Sequence, residues 1–240
     1  MSQQAIIPEA KPAATVVLIR DGKQGLETLL LKRNQALLFA GGFWVFPGGS
    51  IDQADMAAAA HDIEQAARLA AIREAVEEAN IVPDIQRMVK ISHWTTPTAE
   101  ARRFATWFYV AACPAGAVVQ IDNGEIHDSR WIGVQQAVSH QDAGELPMLP
   151  PTYLTLCQLA RMPSVEAALS HIGHAPSPSL LPVFSVDGED LAVLFNGDAG
   201  YRSANANEHG ARHRAVLKNN IWRYYCDTIE GVKALDGRSL

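Results

Sequence analysis

The sequence predicts an α+β fold, and three features support this class. Apolar and β-branched residues at 14–20 and 26–33 flank a Gly-containing turn, which predicts a β-hairpin. Apolar residues at 63–79 recur at the spacing of an α-helix. Alternating apolar residues return at 183–186 and 191–195, where an intervening Asp-Gly pair predicts a second hairpin. The chain is therefore expected to form sheets with helices packed against them.

A glycine turn follows the first hairpin. A short strand is predicted at 43–46, and it ends at Pro47, Gly48 and Gly49. Glycines in this position let backbone N–H groups come close to a ligand. Gly48 and Gly49 are therefore candidate substrate-binding residues.

An alanine-rich segment separates this turn from the long helix. The segment 50–62 contains four successive alanines, which are the best helix formers, and it predicts a short extra helix. Asp62 is placed to cap the longer helix at 63–79. The segment could serve as a lid over a substrate or as a packing embellishment, and of the two we favour packing.

The long helix carries a cluster of acidic residues. On a helical wheel one apolar stripe is formed by Leu69, Ile72, Val76 and Ala79. Three glutamates point to nearly the opposite side, namely Glu74, Glu77 and Glu78. Arg73 lies between the two faces, four residues before Glu77 and within reach of an ion pair.

Two interpretations of these glutamates are open. Acidic residues opposite an apolar stripe are typical of any amphipathic surface helix. However, the acidic face continues towards the N-terminus as Ala67, Ala70 and Ala71, and such small residues indicate that another segment or a ligand comes close. Glu74 and Glu78 also repel each other at the i,i+4 spacing. A bound divalent cation would reverse that repulsion, because Mg²⁺ takes carboxylate and phosphate oxygens as ligands.

Composition and charge exclude several function classes. The 240 residues carry a formal net charge of −6 without a long basic run, so no nucleic-acid partner is expected. No apolar run is long enough to cross a bilayer, and the N-terminus lacks the features of a signal peptide. The three widely spaced cysteines predict neither a disulfide framework nor a zinc site. We therefore expect a cytoplasmic protein without a membrane partner.

The rest of the chain alternates between strands and helices. The predicted elements are strands at 91–96 and 107–111, a strand ending at 132, helices at 134–140 and 152–170, a linker at 175–179, the second hairpin, and one strand within 214–226. Arg102 and Arg103 are adjacent guanidinium groups suited to bidentate phosphate binding, so they are candidate substrate-binding residues. Solvated surface charge is the alternative reading of this pair.

The acidic run resembles the signature of the Nudix hydrolases. That signature reads G-x5-E-x7-R-E-U-x-E-E-x-G-U, where U is aliphatic. The matching residues are Arg73, Glu74, Ala75, Glu77, Glu78 and Ile81. The segment 44–49 is also typical of the strand and turn that lead into the signature. The resemblance covers approximately residues 12–135.

The match departs from the family pattern in its first half. The spacing from Gly49 to Arg73 is ten residues longer than in the pattern, and the final Gly is Asn80. For the first signature Glu, counting back from Arg73 gives Gln65 with Glu64 beside it, whereas counting forward from Gly49 gives Asp55. This enlarged signature is similar to that of the branch containing the peroxisomal acyl-coenzyme A diphosphatases.

The resemblance implies an α/β/α sandwich with a mixed sheet and a C-terminal β-rich extension. We accordingly expect a flexible N-terminal arm at 1–11, a Nudix domain at 12–174 with its insertion at about 50–62, and the extension at 175–240. Many Nudix relatives are homodimers, so a homodimer is also expected, and the extension is a candidate interface.

The resemblance also implies a function and a set of site residues. We expect a hydrolase of nucleoside diphosphate derivatives that uses Mg²⁺ or Mn²⁺, with coenzyme A or acyl-CoA as the first candidate substrate and ADP-ribose or a dinucleotide as alternatives. A nucleotide-binding sensor without turnover is the alternative from another class. The implied metal ligands are Glu74, Glu77 and Glu78, and the implied catalytic residues are Arg73, Glu74, Glu77 and Glu125. Glu125 could instead be a plain turn carboxylate.

Overall fold

The computed structural model describes residues 7–36 and 40–237. The strands, numbered in chain order, are β1 Lys11–Gly22, β2 Gly25–Arg33, β3 Trp44–Val45, β4 Gly48–Ser50, β5 Val89–Thr95, β6 Phe104–Ala112, β7 Ile126–Gly133, β8 Ser179–Leu180, β9 Val183–Asp187, β10 Asp190–Leu194, β11 His213–Lys218 and β12 Ile221–Cys226. The helices are α1 Gln53–Ala58, α2 Ile63–Ala79, α3 Val134–Asp142, α4 Pro150–Leu159 and α5 Val165–His174.

The strands form a mixed sheet and a smaller antiparallel sheet. The mixed sheet has the order β3-β2-β1-β6-β5-β8, with β4 added to β1 and β7 added to β2. Within it, β1 pairs with β6 and β5 with β8 in parallel, and the remaining pairs are antiparallel. The second sheet has the order β12-β11-β10-β9. The predicted α+β class and mixed sheet are thereby confirmed.

The first two strands separate along their length and leave a wedge. The second half of β1 pairs with β2 through residues 19–22, whereas its first half pairs with β4 through residues 13–15. β2 in turn pairs with β3 near its end, at Leu31 and Lys32. The chain from Trp44 to Ser50 therefore fills the wedge between the two strands. The glycines predicted to form a turn belong to strand β4 instead.

Helices cover both faces of the mixed sheet. α2 packs on one face, where its alanines join an apolar core with residues of β1 and β2 such as Val16, Leu18 and Leu29. The other face is covered by α3, α4 and α5, which contribute Ala137, Leu154 and Leu169 to a second core. This arrangement is the α/β/α sandwich that the family resemblance implied.

The buried face of α2 differs from the predicted apolar stripe. Its buried residues are Ala66, Ala67, Ala70, Ala71, Ala75, Glu78 and Ala79. Val76, predicted to face the core, is exposed, and Leu69 and Ile72 are only half-buried. Ala79 alone of the predicted stripe is fully buried. The prediction was wrong for the three larger residues because it ranked residues by hydrophobicity, whereas alanine lets a helix approach the sheet backbone closely. The part of the prediction that small residues mark a close approach is confirmed.

Other predicted elements need correction at their ends. The helix expected at 152–170 is two helices, since Pro163 cannot continue α4 and the Ser164 side chain caps α5 by accepting from Ala167 N–H. The single strand expected within 214–226 is the hairpin β11–β12. Asn219 and Asn220 turn it with positive φ angles of 51° and 62°. Part of the expected linker at 175–179 lies against β5, because His93 N–H donates to Pro178 O and β8 follows.

The predicted short helix and its neighbour are confirmed. α1 occupies the alanine-rich insertion, and Asp62 caps α2 by accepting a hydrogen bond from Gln65 N–H at 2.9 Å. The predicted flexible arm at 1–11 lies in part outside the described residues, and Lys11 already belongs to β1. In the parts of the chain that are described, no helix is both long enough and apolar enough to cross a membrane.

The second sheet shares the core of the sandwich. Phe195 and Trp222 belong to the same apolar core as Leu154 on α4 and Leu169 on α5. The Gln141 side chain on α3 donates to Trp222 O, which ties β12 to the sandwich. The predicted boundary between residues 174 and 175 therefore crosses a continuous apolar core, and it stays a prediction.

Candidate functional site

The strand in the wedge lies directly against α2. Gly48 N–H donates to the Glu78 carboxylate at 3.0 Å. Thr15 on β1 fixes the preceding residue, since its hydroxyl donates to Pro47 O. A methyl group on Gly49 would lie 2.3 Å from Glu74 Oε1. Both predicted glycines are therefore next to the acidic cluster, and Gly49 leaves the space that the Glu74 carboxylate uses.

Arg73 is the centre of a network of carboxylates. Its Nη1 donates to Glu74 at 2.8 Å and to Glu77 at 3.1 Å. Its Nη2 donates to Asp55 at 3.0 Å and to Ser50 O at 2.9 Å. Burial would lower the pKa of Arg73, but the hydrogen bonds with Asp55 and Glu74 outweigh it and raise that pKa. Arg73 is therefore a fixed positive charge that orients three acidic side chains.

Of the candidates for the first signature Glu, Asp55 is the one that contacts Arg73. It is buried on α1, with 6% of its surface exposed, and its two carboxylate oxygens face Arg73. It also accepts from Asp52 N–H, which closes the cap of α1. Glu64, the competing candidate, instead pairs with Lys90 at 2.9 Å, while Gln65 N–H bonds the Asp62 cap. The extra residues between Asp55 and Arg73 thus include the end of α1 and the start of α2.

Two of the glutamates are held in an environment that favours their neutral form. Burial, helped by the nearby Glu74 and Glu125, raises the pKa of Glu78 to about 8 against the opposing effects of Gly48 N–H and Arg33. Burial also raises the pKa of Glu74, with Glu77 and Glu125 adding to it against Arg73. Glu77 is more exposed and keeps its contact with Arg73. Glu125 thus lies close enough to act on both buried glutamates.

Arg33 joins Glu125 to this cluster, and it was absent from the predicted site. Its Nη2 donates to Glu125 Oε2 at 2.9 Å, and its Nη1 lies 3.8 Å from Glu78 Oε1. The signal in the sequence was a pair of basic residues, Lys32 and Arg33, at the end of β2 after three leucines. Without the sheet register, nothing indicated that this strand end faces α2.

Arg102 and Arg103 lie just before β6, whose first residue, Phe104, pairs with Lys11 at the start of β1. Arg103 is buried, and its guanidinium donates to Thr96 O and to Pro8 O. Arg102 is exposed. Among the described residues, neither has a recorded hydrogen bond or ion pair with the acidic cluster. Their role in substrate binding stays a prediction, and the contacts of Arg103 hold the N-terminal segment against β6.

The donor chemistry of this site fits a hard divalent cation. Within the described residues, two arginines pair with six carboxylates, namely Asp52, Asp55, Glu74, Glu77, Glu78 and Glu125. Negative charge is therefore in excess in a partly buried place, which suits oxygen-seeking ions. No three His, Cys, Asp or Glu side chains in the described chain converge as a ready-made cage. Arg73 holds Glu74 and Glu77, so a cation would compete with it for their oxygens.

We expect the metal-free protein to lose stability as the pH rises. The pKa of Glu78 is about 8 in the folded protein and about 4.3 in an unfolded chain, so the folded state binds an extra proton between these values. Stability is thus full below the unfolded pKa and is lost as the pH rises through the folded one. In urea unfolding with EDTA, the free energy of unfolding should fall between about pH 5 and pH 8.5. In Glu78→Gln this fall should be smaller by roughly 2–4 kcal/mol. Equal slopes in both proteins would contradict it.

Comparisons with known proteins agree with this architecture. The NUDIX domain model matches residues 10–150, more than half of the chain. Nudix hydrolase 7 of Caenorhabditis elegans is 24% identical, over 86% of this chain and 79% of that sequence. The crystal structure of a NUDIX hydrolase from Alicyclobacillus acidocaldarius superposes with a TM-score of 0.64 at 23% identity, covering 71% of this chain and 100% of the other. That similarity supports the fold.

A third protein is more distant. The NUDIX domain of Shewanella oneidensis NrtR, crystallised with ADP ribose, has a TM-score of 0.47 at 19% identity, over 71% of this chain and 93% of that domain.

The family match covers the wedge, α1, α2 and the loop before β7, and so includes all six carboxylates of the site. Nudix hydrolases cleave diphosphate linkages and generally use divalent metal ions, which agrees with the excess of carboxylates around Arg73 and Arg33. By its sequence match and its fold, the chain belongs to the Nudix family and is a Nudix pyrophosphohydrolase.

Proposed function

We propose that this enzyme cleaves the diphosphate linkage of coenzyme A or an acyl-CoA, with Mg²⁺ or Mn²⁺ as its cation. The observation that carries the hydrolytic part is the excess of carboxylates packed against Gly48 and Gly49. The choice of coenzyme A is supported by the enlarged signature, which resembles that of the acyl-coenzyme A diphosphatases. ADP-ribose and dinucleotides share the same diphosphate chemistry and are the alternative substrates.

The residues of the site divide the work according to their contacts. Glu74, Glu77 and Glu78 would hold the cations, and Arg73 orients the first two through its shared Nη1 donor. Bound cations would neutralise the charge of the diphosphate and lower the pKa of the attacking water. Glu74, Glu77 and Glu125 are the candidates for the residue that removes the proton from that water.

Gly48 and Gly49 support this arrangement through their lack of side chains. They allow the β4 backbone to lie against the carboxylates, so a diphosphate could approach the same edge.

We also propose that the enzyme acts in the cytoplasm as a homodimer, with the second sheet as the candidate interface. Light scattering on the purified protein would test the dimer.

One observation favours a nucleotide sensor as the second candidate. The first half of the signature departs from the family pattern, since Asp55 contacts Arg73 and no Glu stands at the patterned spacing. Incubation with Mg²⁺ and a panel of coenzyme A, ADP-ribose, NADH and diadenosine polyphosphates, with products identified by mass spectrometry, separates the two candidates. Release of 3′,5′-ADP from coenzyme A supports the proposal. Tight binding of one compound without turnover of any supports the sensor.

The carboxylate variants test the assigned site. We expect Glu77→Gln and Glu78→Gln each to lower kcat by at least about tenfold, because each removes a charged oxygen ligand while keeping the side chain's shape. Glu166→Gln, on the exposed end of α5, is the matched control and should keep the wild-type rate. Rates near wild type in both site variants would reject this assignment.

A further inference from the structure

Arg33 stands at an irregularity in the sheet. β2 and β7 are paired from Glu27 to Lys32 in regular register, and the register shifts between Lys32 and Arg33. A β-bulge of this kind redirects the side chain next to it. Arg33 is mostly buried, with 17% of its side chain exposed. The shift thus accompanies a guanidinium that lies between two acidic groups of the site.

The two acidic partners of Arg33 come from different parts of the fold. Glu78 is held on α2, where Gly48 N–H also bonds its carboxylate. Glu125 lies in the loop before β7, and its side chain is 59% exposed. The two Nη atoms of Arg33 face one carboxylate each, at 3.8 Å and 2.9 Å. A single planar guanidinium therefore spans the helix and the loop.

The loop has further contacts at the same point. Asn34 N–H donates to Glu125 O at 2.8 Å. Asp122 closes the loop internally by accepting from Glu125 N–H at 2.9 Å and from Ile126 N–H at 3.0 Å. The loop can thus keep its own shape, but among its described contacts only those from Arg33 and Asn34 tie Glu125 to β2. The Glu125 carboxylate also raises the pKa of Glu78, which agrees with their closeness.

The contacts of Arg33 indicate what its guanidinium does. Its Nε is buried and has no hydrogen-bond partner in the described chain, so its described polar contacts come from the two Nη groups. The contact with Glu125 is a charge-assisted hydrogen bond, and the contact with Glu78 at 3.8 Å is an ion pair. The rigid fork of arginine can span two carboxylates, which the single ammonium of lysine does poorly.

We propose that Arg33 is a positioning residue that holds Glu125 beside Glu78 on α2. It acts through Glu125 and does not itself take part in the reaction. Its effect on catalysis rests on the proposed hydrolytic function, whereas its effect on the loop does not. Glu125 is therefore kept beside Glu78 by a contact within the protein itself.

Hydrogen exchange of the metal-free protein tests the positioning directly. In Arg33→Met, which keeps the apolar stem, amide exchange in the segments 33–36 and 122–126 should become about tenfold faster. Arg33→Lys should resemble it, because one ammonium cannot bridge both carboxylates. The matched control is Arg20→Met, since Arg20 also pairs with a glutamate on the neighbouring strand, Glu27. Wild-type exchange in Arg33→Met, or full recovery in Arg33→Lys, would overturn the proposal.

Kinetics with coenzyme A and Mg²⁺ separate positioning from substrate binding. We expect Arg33→Met to lower kcat by about tenfold while KM changes less than about threefold. The double variant with Arg33→Met and Glu125→Gln should have a kcat only slightly below that of Arg33→Met, since both changes remove the same interaction. A raised KM with unchanged kcat would show that Arg33 binds the substrate instead. If the wild-type protein turns over no compound of the panel, the proposed function fails, and the exchange experiment still decides the role of Arg33.

Discussion

Gly49→Ala should lower kcat by about 100-fold while leaving the fold intact. The added methyl group would lie 2.3 Å from Glu74 Oε1 and 2.6 Å from its carboxyl carbon, so the carboxylate must move. The backbone of Gly49 does not have a positive φ angle, and alanine fits it without strain. The group that moves is the far end of a flexible side chain, which costs the fold little. It is also a proposed cation ligand, and a displacement of about 1 Å is expensive in catalysis.

Two other glycines supply the comparison. In Gly48→Ala the methyl group would meet Ala14 O and Thr15 Cβ at 2.6 Å, so backbone must shift and stability should fall. In Gly173→Ala, on α5, it would make an ordinary contact of 3.4 Å with Val89. Thermal unfolding and steady-state rates of the three variants check these expectations. A Gly49→Ala enzyme with wild-type kcat would show that the position of Glu74 is unimportant.

The identity of the acidic helix could be predicted from the sequence because its signals are local. Asp62 as the cap and Asn80 as the end are properties of a few neighbouring residues, and the structure shows both, with Asn80 at a φ of 55°. The spacing of the glutamates likewise placed them on one side of the helix. What spacing could not provide is which side of the helix faces the sheet.

That choice depends on packing distance. Alanines at 67, 70, 71 and 75 are poor in hydrophobic surface, yet they lie at 0% exposure, while Val76 is 38% exposed. A larger residue on the buried face would move the helix away from β4. Gly48 N–H could then no longer reach Glu78. The buried alanines are thus needed to keep α2 close enough to β4 for the site to form. Hydrophobic periodicity alone does not predict this close packing.

Contacts between distant segments explain the remaining gaps. Asp55 and Arg73 are separated by an insertion, so counting residues gave two answers, and only the fold of α1 back onto α2 selects Asp55. Arg33 was missed because its partner Glu125 lies 92 residues away. Arg103 could be recognised as unusual, but its contacts with Thr96 and Pro8 carbonyls are not coded in any local pattern.

Asp198→Ala should destabilise the protein by about 3–5 kcal/mol. The Asp198 carboxylate accepts from Arg214 Nε and Nη2, both at 2.8 Å, and from the backbone N–H groups of Gly200 and His213. The two side chains are 0% and 2% exposed. Removing the carboxylate leaves a buried guanidinium with Asp187 at 3.2 Å as its remaining charged partner. It also leaves two buried N–H groups without their acceptor, which adds to the cost.

The same experiment tests whether the second sheet is a separate unit. Because Phe195 and Trp222 share one core with α4 and α5, the variant should unfold in a single transition at lower denaturant concentration. Glu166→Ala removes an exposed pair with Arg87, and it should cost less than about 1 kcal/mol. Two separated transitions in Asp198→Ala, seen by tryptophan fluorescence and circular dichroism, would mean that the sheet folds independently. If the sheet folds independently, turnover should persist at denaturant concentrations that unfold the second sheet of Asp198→Ala. A shared core predicts instead that the second sheet and the turnover are lost at the same denaturant concentration.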